Sequence, residues 1–278
     1  MRIDAHQHFW VFDPVRDSWI DDSMLVIRKD FLPKDLKPIL KANNIDGCIA
    51  VQADQSETET NFLLQSAADN PFIKGVVGWV DLCNKNVDER LKHFAQNKLF
   101  KGVRHIVQAE TEDFVLRNDF LNGISKLSKY NLVYDILVFP NQLENVIKMV
   151  AKFPEQQFVL DHIAKPKISE GLIANTNWKT NIKRLASYKN VSCKVSGMVT
   201  ETQDFKWEEK DFHEFLNVTV EAFGVDRLLF GSDWPVCLLA GAYQDVLHIV
   251  EDFFNSFSIE EINKIMGANA VRIYNLNN

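Results

Sequence analysis

Cysteine is scarce and scattered in this chain. Cys48, Cys83, Cys193 and Cys237 form no C-x-x-C pair, which excludes a zinc knuckle and a disulfide scaffold and fits a reducing cytoplasm. No apolar run approaches the roughly 18 residues of a membrane span. Arg2, followed at once by Asp4 and His6, is not the opening of a signal peptide. A G-x-G-x-x-G turn after the first strand and a Walker-type loop are both missing, so dinucleotide and P-loop phosphate binding lose their usual carriers. No long Lys/Arg run occurs, and the formal charge of −7 argues against nucleic acid or an anionic membrane as the main partner. A small-molecule ligand is what remains. The chain is 46% hydrophobic over 278 residues, ample for a packed core, and it shows no domain boundary, low-complexity tract or close repeat. One domain over 1–278 is the expectation.

What is present is a recurring short run rich in β-formers: Arg2–Phe9, Ile45–Gln52, Lys74–Asp81, Phe100–Val107, Leu132–Val138, Gln157–Ile163, Val191–Gly197 and Arg227–Asp233. Between these lie segments with helical apolar spacing, such as PKDLKPILKANN (Pro33–Asn44) and QLENVIKMVAKF (Gln142–Phe153). Runs such as GCIAV and GVVGWV are almost continuously apolar, as parallel strands covered by helices require. Eight strand-helix units predict an α/β fold, a (β/α)8 TIM barrel. The first crossover is the longest, and Val11–Phe31, rich in aromatic and charged residues, reads as a loop over one mouth.

In such barrels chemistry sits at the C-terminal ends of the strands. His93, His213 and His248 fall in helical segments among polar neighbours. His6, His8, His105 and His162 fall in the C-terminal halves of three strands. Positions i and i+2 share a strand face, so His6 and His8 project together, with Asp4 one step lower. Asp233 in GSDWP stands at the end of the eighth run as a candidate general base, or as a turn cap. In VLDHIAKP either Asp161 or His162 faces the lumen, and the histidine is the better ligand. KGVRHIVQ puts Arg104 and His105 on opposite faces. Lys194 inside VSCKVSG needs a partner, because an unpaired buried ammonium is very costly; it reaches a polar substrate atom or pairs with a carboxylate. Gln52, Trp79 and Trp234 also stand at strand ends, where they line a pocket or, for Trp79 above all, pack in the core.

Together, H-x-H on the first strand, DHIAKP on the sixth and GSDWP on the eighth, with FKGVRHIVQ and CKVSG, resemble the amidohydrolase superfamily over essentially the whole chain. The likeness is to its amidohydrolase-2-type branch of sugar-lactone hydrolases, which includes L-fuconolactone and L-rhamnonolactone hydrolases and, more remotely, 2-pyrone-4,6-dicarboxylate lactonase. The resemblance implies a strand-8 aspartate that activates water, hence Asp233, with His6, His8 and His162 beside it. The fifth run, LVYDILVF, supplies no histidine, and this speaks against the binuclear metal site of better-known members. His6, His8 and Asp233, with or without His162, would suit one divalent ion, zinc first, because three protein ligands leave an open position. Related lactonases also work with no metal.

The expectation is therefore a cytoplasmic hydrolase that opens a small sugar-acid lactone. Asp233 would take the water proton, His6, His8, His162 or Lys194 would stabilise the oxyanion, and Gln52, Arg104, His105 and Lys194 would bind hydroxyls or a carboxylate. Trp79 or Trp234 would pack on the ring. A homo-oligomer is compatible with this reading. The rivals are a metal-dependent decarboxylase of the same branch and a non-catalytic barrel that binds a sugar acid.

Overall fold

The computed structural model describes residues 1–276. Eight strands, β1 (Ile3–Gln7), β2 (Gly47–Val51), β3 (Ile73–Gly78), β4 (Phe100–His105), β5 (Val133–Ile136), β6 (Phe158–Leu160), β7 (Val191–Val195) and β8 (Leu228–Phe230), lie side by side in chain order. Every neighbouring pair is parallel. The ends of the sheet meet just past β8, where Asp233 N donates to His6 O at 2.8 Å and His8 N to Trp234 O at 2.7 Å. The result is the expected (β/α)8 TIM barrel, seven strands falling inside their apolar runs and β3 starting at Ile73, one residue before its own. The strands are shorter than those runs, so His8, Gln52, Trp79, His162 and Asp233 stand on the loops that leave them. Among the described residues no helix is long and apolar enough to cross a membrane.

Two apolar layers follow from strand alternation. Ile3, Ala5, Ile49, Val51, Val77, Val133, Val159 and Leu229 fill the lumen together with Ala270, Ile273, Tyr274 and Leu276 from the chain's end. Residues of opposite parity, such as Cys48, Val76, Tyr134, Phe158, Cys193 and Phe230, meet the surrounding helices in a larger outer cluster. Fully burying one Val, Leu, Ile or Phe side chain stabilises by about 1.5–3 kcal/mol. The outer layer is therefore the main source of stability.

β1 breaks the alternation. Its register against β2 slips between Asp4 and Gln7, the signature of a bulge, which adds one residue and changes which face the next side chains take. Asp4 therefore does not share a face with His6. It points outward, where its carboxylate accepts from Ser232 Oγ at 2.6 Å and Ser232 N at 2.9 Å. The long first crossover behaves as the sequence suggests: Trp10 pairs with Phe31 across an antiparallel bridge, and the loop between them covers the C-terminal mouth.

Candidate active site

At that mouth lies a cavity of about 370 Å³, with His8, Arg104, His162, Lys165 and Asp233 among its lining residues. Three imidazoles converge on one carboxylate. Asp233 Oδ1 is 3.3 Å from His8 Nε2, 3.7 Å from His6 Nε2 and 3.8 Å from His162 Nε2. Asp233 has φ of 58°, a left-handed conformation that aspartate tolerates better than most residues. Gly231 before it lets β8 approach β1: a Cβ there would sit 2.7 Å from that of His6.

His162 reaches the site by a backbone device that alternation cannot foresee. After β6 the chain runs through four successive positive φ values, from His162 to Lys165, so period two ends at Asp161, which keeps the inward parity of Val159. Both Asp161 and His162 then face inward, correcting the expectation that one excludes the other. Gly197 makes room, since a Cβ there would lie 2.4 Å from His162 Nδ1. That nitrogen is 2.9 Å from Ser196 Oγ.

Beneath the imidazoles is a buried charge layer. Lys194, fully buried, places Nζ 2.5 Å from Asp135, 2.9 Å from Asp161 and 3.1 Å from His6 Nδ1. Arg104 donates to Asp161 at 3.0 Å and to both oxygens of Gln52. Tyr274 closes the layer from below by donating to Asp135 at 2.8 Å. Lys194 thus takes the carboxylate-pairing alternative, not the substrate one. Gln52, likewise fully buried, holds Arg104 and lines no part of the cavity.

The remaining expected contacts also move. His105 points away from the lumen, stacking on Phe114 with centroids 4.8 Å apart and facing Glu110 at 3.1 Å. Its parity on β4 is opposite to that of Arg104, as read from sequence, but the outer face holds helix and not substrate. Trp234 is buried edge-on between Phe9 and Phe31, with centroids 6.1 and 5.2 Å away. Trp79 is half-buried outside the cavity, its backbone bonded to the Thr60 hydroxyl. Trp10 and Trp19, 6.0 Å apart, line the cavity instead. Gln55, Gln108 and Lys165 complete its polar lining. The aromatic richness of Val11–Phe31 was the available signal for the tryptophans. Asp135 inside an otherwise apolar strand was the signal for the charge layer.

Electrostatics follow from burial. Burial pushes the Asp233 carboxyl up, but His162, His8 and Lys165 overcome it and hold the group below its ordinary 3.8. Burial holds His6 and His162 well below 6.5, against the pull of Asp161 and of Asp233 respectively. Both rings are therefore neutral at pH 7 and each carries one lone-pair nitrogen; at His6, Lys194 Nζ approaches Nδ1 at 3.1 Å and Arg104 Nη1 approaches Nε2 at 3.3 Å. His6, His162 and Asp233 each offer one donor atom, all within 4.8 Å of one another. Two neutral imidazoles and an ionised carboxylate are a fitting donor set for zinc. The set expected from sequence is as close: His6 Nε2, His8 Nε2 and Asp233 Oδ1 lie 3.2–3.7 Å from one another, and His8 Nδ1 is 2.8 Å from Val51 O.

Comparison with known proteins places the whole chain. A family model described as Amidohydrolase matches residues 3–276. An L-fucono-1,5-lactonase of Burkholderia multivorans is 38% identical over 289 residues, covering 99% of this chain and 96% of that one. An L-fucono-1,5-lactonase of Burkholderia ambifaria is 33% identical over 245 residues, covering 88% and 83%. The crystal structure of an amidohydrolase from Burkholderia multivorans with bound zinc superposes with a TM-score of 0.96, 38% identity and 100% coverage of both chains.

Proposed function

This chain belongs to the amidohydrolase family and is a lactonase, and from that premise we propose that it opens a sugar-acid 1,5-lactone, L-fucono-1,5-lactone first, with water activated by Asp233. The observation that carries the assignment of the base is the convergence of His6, His8 and His162 on one Asp233 oxygen, within 3.3–3.8 Å, at a cavity wall. A carboxylate held ionised there can take a proton from water as the water oxygen attacks the lactone carbonyl carbon. The carbonyl π electrons move to its oxygen, where the imidazoles of His8 and His162 are the neighbouring stabilising groups. Collapse of the tetrahedral adduct breaks the bond to the ring oxygen, which recovers the proton from Asp233 and leaves as the hydroxyl of the open-chain acid. Trp10 and Trp19 supply an apolar wall for the ring carbons.

His6, His162 and Asp233 would hold one zinc ion. Bound there, zinc would supply Lewis-acid polarisation of a carbonyl. The test is a pH-indicator hydrolysis screen over aldono-1,4- and 1,5-lactones, on protein prepared with chelator and with added zinc. Hydrolysis of L-fucono-1,5-lactone is expected, and its loss with chelator and return with zinc would assign the ion a role. An Asp233→Asn variant, folded by circular dichroism, should lose about 10²–10⁴ in kcat. Full activity in that variant would remove Asp233 as the base, and inertness of both preparations toward every lactone would remove the substrate assignment.

A further inference from the structure

Among the described residues that line the cavity, Gln108 carries a buried side-chain acceptor that the fold leaves unpaired. Gln108 sits on the short turn Val107–Ala109 just after β4 and lines the mouth. Its side-chain Oε1 is buried and, among the described residues, has no hydrogen-bond partner. Gln7 and Gln156 also carry an unpaired buried Oε1, but each donates through its Nε2, Gln7 to Cys48 Sγ and Gln156 to Leu132 O and Gln157 O. Neither lines the cavity. Buried acceptors without partners are rare in native proteins and call for an explanation.

The turn that carries Gln108 is also held from behind. Gln108 N donates to Leu137 O at 3.1 Å, and Gln142 Nε2 donates to Val107 O at 2.8 Å and Glu110 O at 3.3 Å. Its side chain is therefore presented from a fixed backbone, which lowers the cost of ordering it on a ligand. The cations beside it are already engaged: Arg104 pairs with Asp161 at 3.0 Å, and Lys165 with Glu201 at 3.1 Å. Among the described residues that line the cavity, neither Lys/Arg side chain is left unpaired for a substrate carboxylate. An unpaired acceptor in a wall whose cations are already paired matches a hydroxyl on an uncharged ring.

We propose that Gln108 is a specificity-determining residue, its amide oxygen accepting a hydrogen bond from a ring hydroxyl of the lactone. The assignment deepens the lactonase reading and rests on it. The test compares kcat/KM for L-fucono-1,5-lactone with that for δ-hexanolactone, the same methyl-bearing ring without hydroxyls, in the wild type and in two near-isosteric variants. Gln108→Met removes the oxygen and keeps the shape; Gln108→Glu keeps an oxygen. Thermal unfolding verifies that both are folded. The selectivity ratio should fall about tenfold or more in Gln108→Met, and by less in Gln108→Glu. A ratio in Gln108→Met within about twofold of the wild type, or equal losses on both lactones, overturns the assignment. Equal falls in the ratio for the two variants overturn the acceptor role. If the wild type hydrolyses no lactone, the activity reading fails and takes this inference with it; a wild type active on L-fucono-1,5-lactone separates the two.

Discussion

Lys194 carries a charge where no solvent reaches it, and its surroundings explain how that is tolerated. Two carboxylates, Asp135 and Asp161, lie within 3 Å of its Nζ. Burial alone would push Asp161 up, but Lys194, His6 and Arg104 hold it well below 3.8; Asp135 is raised by burial to about 6, with Lys194 pulling the other way. Breaking a buried pair by removing one partner costs about 3–5 kcal/mol, because the remaining charge stays buried and uncompensated. Lys194→Met should accordingly lower the stability measured by urea unfolding by that amount, and adding Asp135→Asn should recover part of the loss. A single variant within about 1 kcal/mol of the wild type would show that the layer is not held by this lysine. The sequence reading left open whether Lys194 touches substrate, because its burial cost is visible in VSCKVSG while its partners, on strands far away in sequence, are not.

At the scale of elements, the eight strands were legible because parallel strands covered on the outside must be apolar on both faces, and that leaves continuous runs. Strand ends were less legible. His6 and His8 were correctly paired by period two, yet Asp4 was not, because a bulge costs one residue of register and no composition announces it. His162 and Asp161 were separated in expectation and are joined in fact by a left-handed turn made of His, Ile, Ala and Lys, none of them the glycine that would signal it. His105, Trp79 and Trp234 were drawn to the site by position alone, whereas packing partners from helices and loops decided where they point. The helix Glu57–Asp69 offers a test at this scale. Glu59, in its first turn, accepts from Ala53 N and Asp54 N, and burial pushes its carboxyl up to about 8 from 4.5. The folded state then holds a proton that the unfolded chain releases. Its contribution is fully present below pH 4.5 and declines as pH rises toward about 8. Glu59→Gln removes the titration and keeps an acceptor, so melting temperatures taken from pH 5 to 8 should show the variant gaining on the wild type as pH rises. A constant gap across that range would assign the slope to other groups.

For the molecule as a whole, the two ends of the barrel have different tasks. Loops after the strands build the cavity at the top, while the chain's last described segment closes the bottom. Ala270, Ile273, Tyr274 and Leu276 pack into the lumen under Ile3, Ala5 and Val159, and Lys101 Nζ donates to Asn275 O at 2.8 Å. Tyr274 links that plug to the site, since the carboxylate it binds, Asp135, is the one that pairs with Lys194 under His6. Three large side chains at about 2 kcal/mol each are comparable with the 5–15 kcal/mol by which a native protein is stable. Removing residues 269–278 should therefore leave a chain that does not unfold cooperatively on heating. Tyr274→Phe retains the packing and loses one hydrogen bond to a carboxylate, so it should fold with a lowered melting temperature, at a cost of about 1–3 kcal/mol. A truncated chain that melts like the intact protein would mean that the barrel floor is sealed by the strands themselves. A Tyr274→Phe variant with unchanged melting would mean that Lys194 alone satisfies Asp135.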